Sequence, residues 1–352
     1  GYDPFSFDIT SFVKPGKRCT LRVSVWDPTD KGFQPRGKQL GQPRGIWYTP
    51  SSGIWQTVWM EPVGSAYIEN YLLTTDIDQG KINVVPTIKN PSAGIKIDIA
   101  VTDNGREVTK QEFSLDQNIS IMIPDAELWS PANPHLYDLR LRLIDGGETI
   151  DEVESYFGMR KIAVVKDEVG FNRLALNDEI LFQNGPLDQG FWPDGLHTPP
   201  SDEAMKYDIE KTIAMGFNML RKHVKVENRR FYHWCDRLGI LVWQDMPSAA
   251  GFIAPDDADL QPSDEHKNQF EQELQQLVLT HFNHPSIVMW VPFNEGWGQY
   301  DTERISGWIK SIDSTRLVNN ASGWTDRGVG DVIDIHHYPD PRCPCIFSSF
   351  LS

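Results

Sequence analysis

The feature that most constrains this chain is a change of period near residue 163. From about Ala163, short and almost wholly apolar segments alternate with helical stretches. The apolar segments are Glu179–Gln183, Phe217–His223, Ile240–Asp245, Ser286–Glu295, Thr315–Ser322 and Val332–Tyr338. Helical patterns fill the gaps at Asp202–Met215, Glu227–Gly239, Glu265–Phe282 and Asp301–Asp313. Ser201 and Asp202 offer the first helix an N-cap, and Gly216 offers its stop. Strands alternating with helices predict a parallel sheet with crossover connections, buried on both faces. Polar residues gather at the C-terminal ends of these strands: Arg221-Lys222-His223, Gln244-Asp245, Asn294-Glu295, Asn319-Asn320 and His336-His337. That is the layout of a (β/α)8 barrel with its site at the strand C-termini, here with about six strands.

Before residue 163 the pattern is β. Over 64–162, short strands recur at roughly ten-residue spacing, broken by turn signals such as Asn104-Gly105 and Gly146-Gly147. This predicts a β-sandwich of immunoglobulin-like shape, without the Cys…Trp…Cys core. Over 1–63, Cys19–Trp26 alternates with Leu21, Val23 and Val25 on one face, and Gly53–Val63 reads as a second strand. The Pro- and Gly-rich stretch Gly32–Gly53 between them reads as a long loop. So few strands need partners elsewhere to bury their apolar face.

Composition narrows the function. A net charge of −16 removes the electrostatic basis for nucleic-acid binding and argues against anionic membranes. No apolar run approaches a membrane span. The chain opens on Gly1 without a signal-peptide pattern, which leaves cytoplasmic, periplasmic and extracellular locations open. Cys19, Cys235, Cys343 and Cys345 are too sparse for a disulfide framework, and Cys343 and Cys345 are spaced wrongly for a redox pair or zinc knuckle; free thiols are expected. His336 and His337 face opposite ways on a strand and cannot form one metal site. Nucleotide, zincin and α/β-hydrolase signatures are absent from the sequence. No cofactor and no metal is therefore expected.

The strongest chemical signal is His284–Gln299, where an apolar strand runs into Asn294-Glu295 and then Gly296-Trp297-Gly298. A carboxylate among apolar and aromatic neighbours at a strand mouth is expected to have a raised pKa and to serve as a general acid. The plainer alternative is a helix cap or an ion pair. Arg221 can brace a carboxylate, and His223 can hydrogen-bond a hydroxyl. Asp245 either touches substrate or satisfies donors at the rim. His336 and Tyr338 are candidates for the mouth. Asp188 and Trp192, in Leu187–Gly195, suit a sugar-binding loop or a folded structural one.

With these motifs in hand, the chain resembles glycoside hydrolase family 2, the family of β-galactosidases, β-glucuronidases and β-mannosidases. The resemblance rests on Tyr2–Asp27 with Ser51–Val63, on Arg221-Lys222-His223, and above all on Asn294–Gln299. It implies three parts: residues 1–63 as the C-terminal part of a sugar-binding jelly-roll domain, 64–162 as the immunoglobulin-like β-sandwich, and 163–352 as a truncated TIM-barrel catalytic domain. It implies retaining hydrolysis of a terminal β-linked sugar, with Glu295 as acid/base and Asn294 on the sugar 2-hydroxyl. It further implies that His223 binds substrate, that Arg221 supports the catalytic carboxylates and that Tyr338 stands near the nucleophile. Asp245, Trp192, Asp188, His336 and Trp324 complete the candidate substrate-binding set from the reading of the residues themselves. Two departures from the family's pattern concern the substrate. Gln244-Asp245 stands where many members have Asp-Glu, and Leu187–Gly195 stands where the better-known galactosidases have a His-containing loop.

The family's nucleophile is a second Glu at the end of strand seven, and no counterpart is expected here. Cys345–Ser352 holds no Glu or Asp. The expectation is thus a catalytically incomplete glycosidase. Two alternatives are a non-catalytic carbohydrate-binding or scaffold protein, and an inverting or substrate-assisted enzyme using Asp245.

Overall fold

The computed structural model describes residues 1–338. Cys343 and Cys345 lie outside the described residues; Cys19 is exposed and Cys235 buried, both as free thiols.

Seven strands form a pair of antiparallel sheets: β1 Tyr67–Asp76, β2 Lys81–Lys89, β3 Lys96–Asp103, β4 Arg106–Ser114, β5 Ile119–Met122, β6 Tyr137–Asp145 and β7 Glu148–Phe157. Their orders are β1-β2-β5 and β4-β3-β6-β7. Alternate residues point inward, as the pleat demands. Ile82 and Val84 meet Ile97, Ile99 and Val101 from β3, and Leu139, Leu141 and Leu143 from β6, in one buried core. The turns Asn104-Gly105 and Gly146-Gly147 have positive φ, which glycine and asparagine accept most readily.

A second unit follows that the change of period does not reveal. β8 Ile162–Lys166, β9 Asn172–Leu176 and β10 Glu179–Ile180 form a small antiparallel sheet. Glu179–Gln183, predicted as the first barrel strand, thus belongs instead to a local hairpin, pairing with β9 through Leu176 and Ala175.

The parallel sheet comprises β11 Leu187–Asp188, β12 Met219–Lys222, β13 Leu241–Asp245, β14 Ile287–Val291 and β15 Leu317–Val318, in that order. Helices α1 Asp202–Ala214, α2 Arg229–Leu238, α3 Asp264–Thr280 and α4 Thr302–Ile312 lie between the strands in sequence. Ser201 caps α1 by accepting from the Ala204 N–H. Asn228 caps α2, which ends on Gly239 at φ 77°. Leu220, Val242 and Trp290 turn toward Ile209, Phe231, Phe270 and Ile305 in the helix layer. Met219, Leu241 and Met289 turn the other way, into a core with Trp129, Ile162 and Leu176. By the same alternation Arg221 shares the face of Met219, and Asp245 shares that of Leu241.

The paired antiparallel sheets and the parallel sheet with its helices are tied by buried polar bonds. Trp129 Nε1 donates to the Asp236 carbonyl at 2.8 Å. The Arg160 guanidinium donates to the carbonyls of Pro285, Ile287 and Thr315.

Two sets of predicted strands do not form. Cys19–Trp26 and Gly53–Val63 carry no strand, and Leu21 is 75% exposed, Trp26 85% and Trp59 67%. Their alternation is real, but a strand needs a neighbour for its backbone groups and its apolar face. Val332–Tyr338, predicted as a sixth parallel strand, runs without ladder pairing. The described parallel sheet therefore has five strands, not six.

Candidate active site

The strand ends bring most of the predicted residues to one cluster. At its centre is Arg221, 7% exposed. Its Nε donates to Asp245 Oδ1 at 2.9 Å and its Nη2 to Asp245 Oδ2 at 2.7 Å, a bidentate pair. Nη2 also donates to Asn294 Oδ1 at 2.8 Å, and Nη1 to Ser322 Oγ at 2.6 Å. Asp245 Oδ2 accepts further from the Val224 N–H at 3.0 Å and lies 3.2 Å from His223 Nδ1. Burial pushes the Asp245 carboxyl up, but Arg221 and His223 outweigh it and hold its pKa below the ordinary value. Both Asp245 oxygens are committed to this brace.

Asn294 and Glu295 leave β14 through a bridge to Ser322, with the Glu295 N–H donating to the Ser322 carbonyl at 2.8 Å. Asn294 is buried, and its Nδ2 has no hydrogen-bond partner among the described residues. Such an orphan donor is costly unless another group arrives to accept from it. Glu295 has φ 51°, the left-handed region that costs an ordinary residue energy and that clusters at functional sites.

Glu295 Oε1 lies 2.6 Å from His336 Nδ1, and accepts from the Tyr338 hydroxyl at 3.3 Å. His336 Nε2 lies 2.7 Å from Ser322 Oγ, which also bonds Asp334 Oδ2. The environment corrects the raised pKa expected of Glu295. Burial does push it up, but His336, Tyr338 and His223 together hold it below the ordinary value. The sequence shows the apolar strand before Glu295 but not the imidazole that folds back onto it. Trp324 stands edge-on to His336 at 6.0 Å and to Tyr338 at 6.4 Å, 39% exposed. At Gly323 a Cβ would sit 3.1 Å from Glu295 Cγ and 3.3 Å from His336 Nδ1, so the close approach needs glycine.

Asp188 and Trp192 are not in this cluster. Asp188 Oδ2 accepts from Lys222 Nζ at 2.6 Å, and its Oδ1 accepts from the Gly190 N–H. Trp192 pairs its backbone with Leu196 in a tight loop. Sequence reasoning missed Ser322 as the joint between Arg221, Asp334 and His336, because a lone serine after a short strand carries no motif. Among the described residues no group of three His, Cys, Asp or Glu side chains is arranged to hold a metal. No helix among them is long and apolar enough to cross a membrane.

The fold and these strand-end residues coincide with a known family. The profile of glycosyl hydrolases family 2 matches residues 66–160, and the profile of that family's TIM barrel domain matches residues 200–345. The chain belongs to glycosyl hydrolases family 2. It is 28% identical over 334 residues to a putative beta-glucuronidase of Formosa agariphila, covering 92% of this chain and 30% of that protein. It is 26% identical over 338 residues to a beta-galactosidase of Lactococcus lactis, covering 94% of this chain and 32% of that protein. Among solved structures it resembles an FMN-binding beta-glucuronidase from Facaelibacterium prausnitzii L2-6, with a TM-score of 0.69 at 24% identity, over 78% of this chain and 45% of that one. A beta-glycosidase from Bacteroides vulgatus gives a TM-score of 0.65 at 23% identity, over 78% of this chain and 36% of that one. The chain spans well under half the length of the curated relatives it matches.

Proposed function

We propose that this chain carries the acid/base half of a retaining β-glycosidase site, with a terminal β-linked sugar as substrate. The observation that carries the reading is the Arg221-centred cluster: a guanidinium holds Asp245 and Asn294 while Glu295 stands beside Asn294 on the same strand end. Residues 1–63 would be part of a sugar-binding jelly-roll domain, 64–162 an immunoglobulin-like sandwich and 163–352 part of the catalytic barrel. Asn294, with an amide nitrogen left free, would hold the sugar 2-hydroxyl. Glu295 would protonate the leaving oxygen and then deprotonate water. His336 and Tyr338 favour its ionised form, the state that the water-activating step requires. A departing glycosidic oxygen would take the place of one of these partners when Glu295 acts as acid.

Retention needs a second carboxyl group about 5–5.5 Å from the first, to attack the anomeric carbon. Asp245 is locked by Arg221, and Asp334 by Ser322 and Asn319. Neither is free to attack, which also speaks against an inverting role for Asp245. With neither of these carboxyls free beside Glu295 among the described residues, we expect slow turnover or none. Hydrolysis of aryl β-galactoside, β-glucuronide and β-mannoside should be measured for the chain and for Glu295→Gln. Robust turnover abolished by Glu295→Gln would overturn the incompleteness. Robust turnover indifferent to Glu295→Gln would overturn the acid/base assignment.

A further inference from the structure

One wall of the Glu295 cluster comes from outside the parallel sheet. The segment from Gln34 to Tyr48 lies far upstream in sequence, yet it is pinned over the strand ends. The N–H groups of Arg36 and Gly37 both donate to the Ser248 carbonyl, at 3.0 and 3.2 Å. The Tyr48 ring stacks on Phe191 with centroids 3.9 Å apart, and the Tyr48 N–H donates to the Lys38 carbonyl at 2.8 Å. Trp47 packs on Trp297, two residues beyond Glu295, at 5.2 Å. Gly37 has φ 61°, and a Cβ there would lie 2.5 Å from the Val224 carbonyl oxygen. Only glycine lets the segment come this close to the residues following β12.

That approach delivers Lys38. The residue is 4% exposed; its Nζ donates to Gln189 Oε1 at 3.0 Å and lies 5.6 Å from the Trp297 ring centroid. Among the described residues it makes no ion pair, whereas the buried Lys222 and Lys225 both reach Glu227. Burial lowers the Lys38 pKa, Glu295 raises it and Arg221 lowers it, so the ammonium sits within the field of the catalytic cluster. An ammonium has three donors, and here one is spent on a neutral amide. A buried cation left this way is costly unless an anion completes it. One cation beside one amide suits a carboxylate monoanion better than a phosphate dianion, which needs more positive charge.

We propose that Lys38 is a specificity-determining residue that binds the carboxylate of an acidic sugar in the Glu295 site, so that the chain prefers β-uronosides to neutral β-glycosides. This rests on the reading of the Glu295 cluster as a glycoside site. The test is equilibrium binding of phenyl β-D-thioglucuronide and phenyl β-D-thiogalactoside, by calorimetry, to the chain and to its Lys38→Met and Lys38→Arg variants. The expected result is a preference for the thioglucuronide of about tenfold or more, collapsing toward one in Lys38→Met and partly kept in Lys38→Arg. A merely structural lysine would weaken both ligands alike and leave the ratio unchanged, which would overturn the proposal. So would a ratio near one in the unsubstituted chain, a result that needs no variant to fold. Thiogalactoside binding that Asn294→Ala removes, without any preference for the charged ligand, would sink the Lys38 role and keep the site. Binding of neither ligand would sink both.

Discussion

Arg221 and Lys222 are neighbours on β12, and each anchors a buried charged cluster. The two clusters are built on different principles. Lys222 Nζ donates to Asp188 and Glu227, and Lys225 Nζ donates to Glu227 and to the carbonyls of Gly190 and His197. Two cations meet two carboxylates, and the set is closed. A Cβ at Gly190 would collide with Glu227, so the loop is drawn tightly over it. The Arg221 cluster is tight at its centre and open at its edge. Asn294 has an idle amide, Glu295 holds an unfavourable φ, and Lys38 lacks an anion. Closure marks a structural cluster, and loose ends mark a site that something else must complete.

That contrast can be broken from either side. The largest effect belongs to the closed cluster. Lys222→Met leaves Asp188 and Glu227 without their shared cation, and should cost about 3–5 kcal/mol in urea unfolding. A loss below ~1 kcal/mol would mean the cluster is not closed in the sense argued.

The next effect is one of pH. His197, whose carbonyl accepts from Lys225, has its imidazole pKa pushed down to about 3 by burial and then by Lys225. In the unfolded chain it would titrate near ~6.5. Between those values the unfolded state holds the extra proton, so stability falls as pH falls. The slope is at most ~1.4 kcal/mol per pH unit from this group. His197→Asn should flatten the acid limb of a stability-against-pH curve. An unchanged limb would show that His197 takes up its proton without loss of the fold.

The smallest effect lies at the open cluster. Glu295→Gly removes the functional group but frees the left-handed backbone. It should unfold about 1 kcal/mol harder than Glu295→Gln in the same assay. Equal stability would mean the φ at Glu295 stores no strain.

How much of this was legible from sequence follows from range. The start of α1, the glycine Gly216 just past its end and the polar ends of β12 to β14 are set within a few residues, and their patterns predicted them. What was missed depends on distant partners. Cys19–Trp26 alternates like a strand and forms none, because alternation does not supply a neighbour. The β8–β10 sheet is a miss of another kind, since its pairing is local but shows no strong period. The Glu295 pKa went the other way because His336, far along the chain, folds back to meet it. Asp188 and Trp192 looked like site residues by composition, yet Lys222 draws Asp188 into the closed cluster. Lys38 sat unnoticed in a stretch that read only as loop.

The central claim is that the open cluster binds a sugar and the closed one does not. Calorimetric titration of phenyl β-D-thioglycosides into the chain and into Asn294→Ala tests it most directly. The account predicts saturable binding that weakens about tenfold or more in Asn294→Ala, as loss of a hydrogen bond to a buried hydroxyl should give. The variant should also lose about 1–3 kcal/mol of stability, since Asn294 Oδ1 accepts from the buried Arg221 Nη2, so binding is compared where urea unfolding shows both chains folded. Binding that Asn294→Ala leaves unchanged would contradict the account.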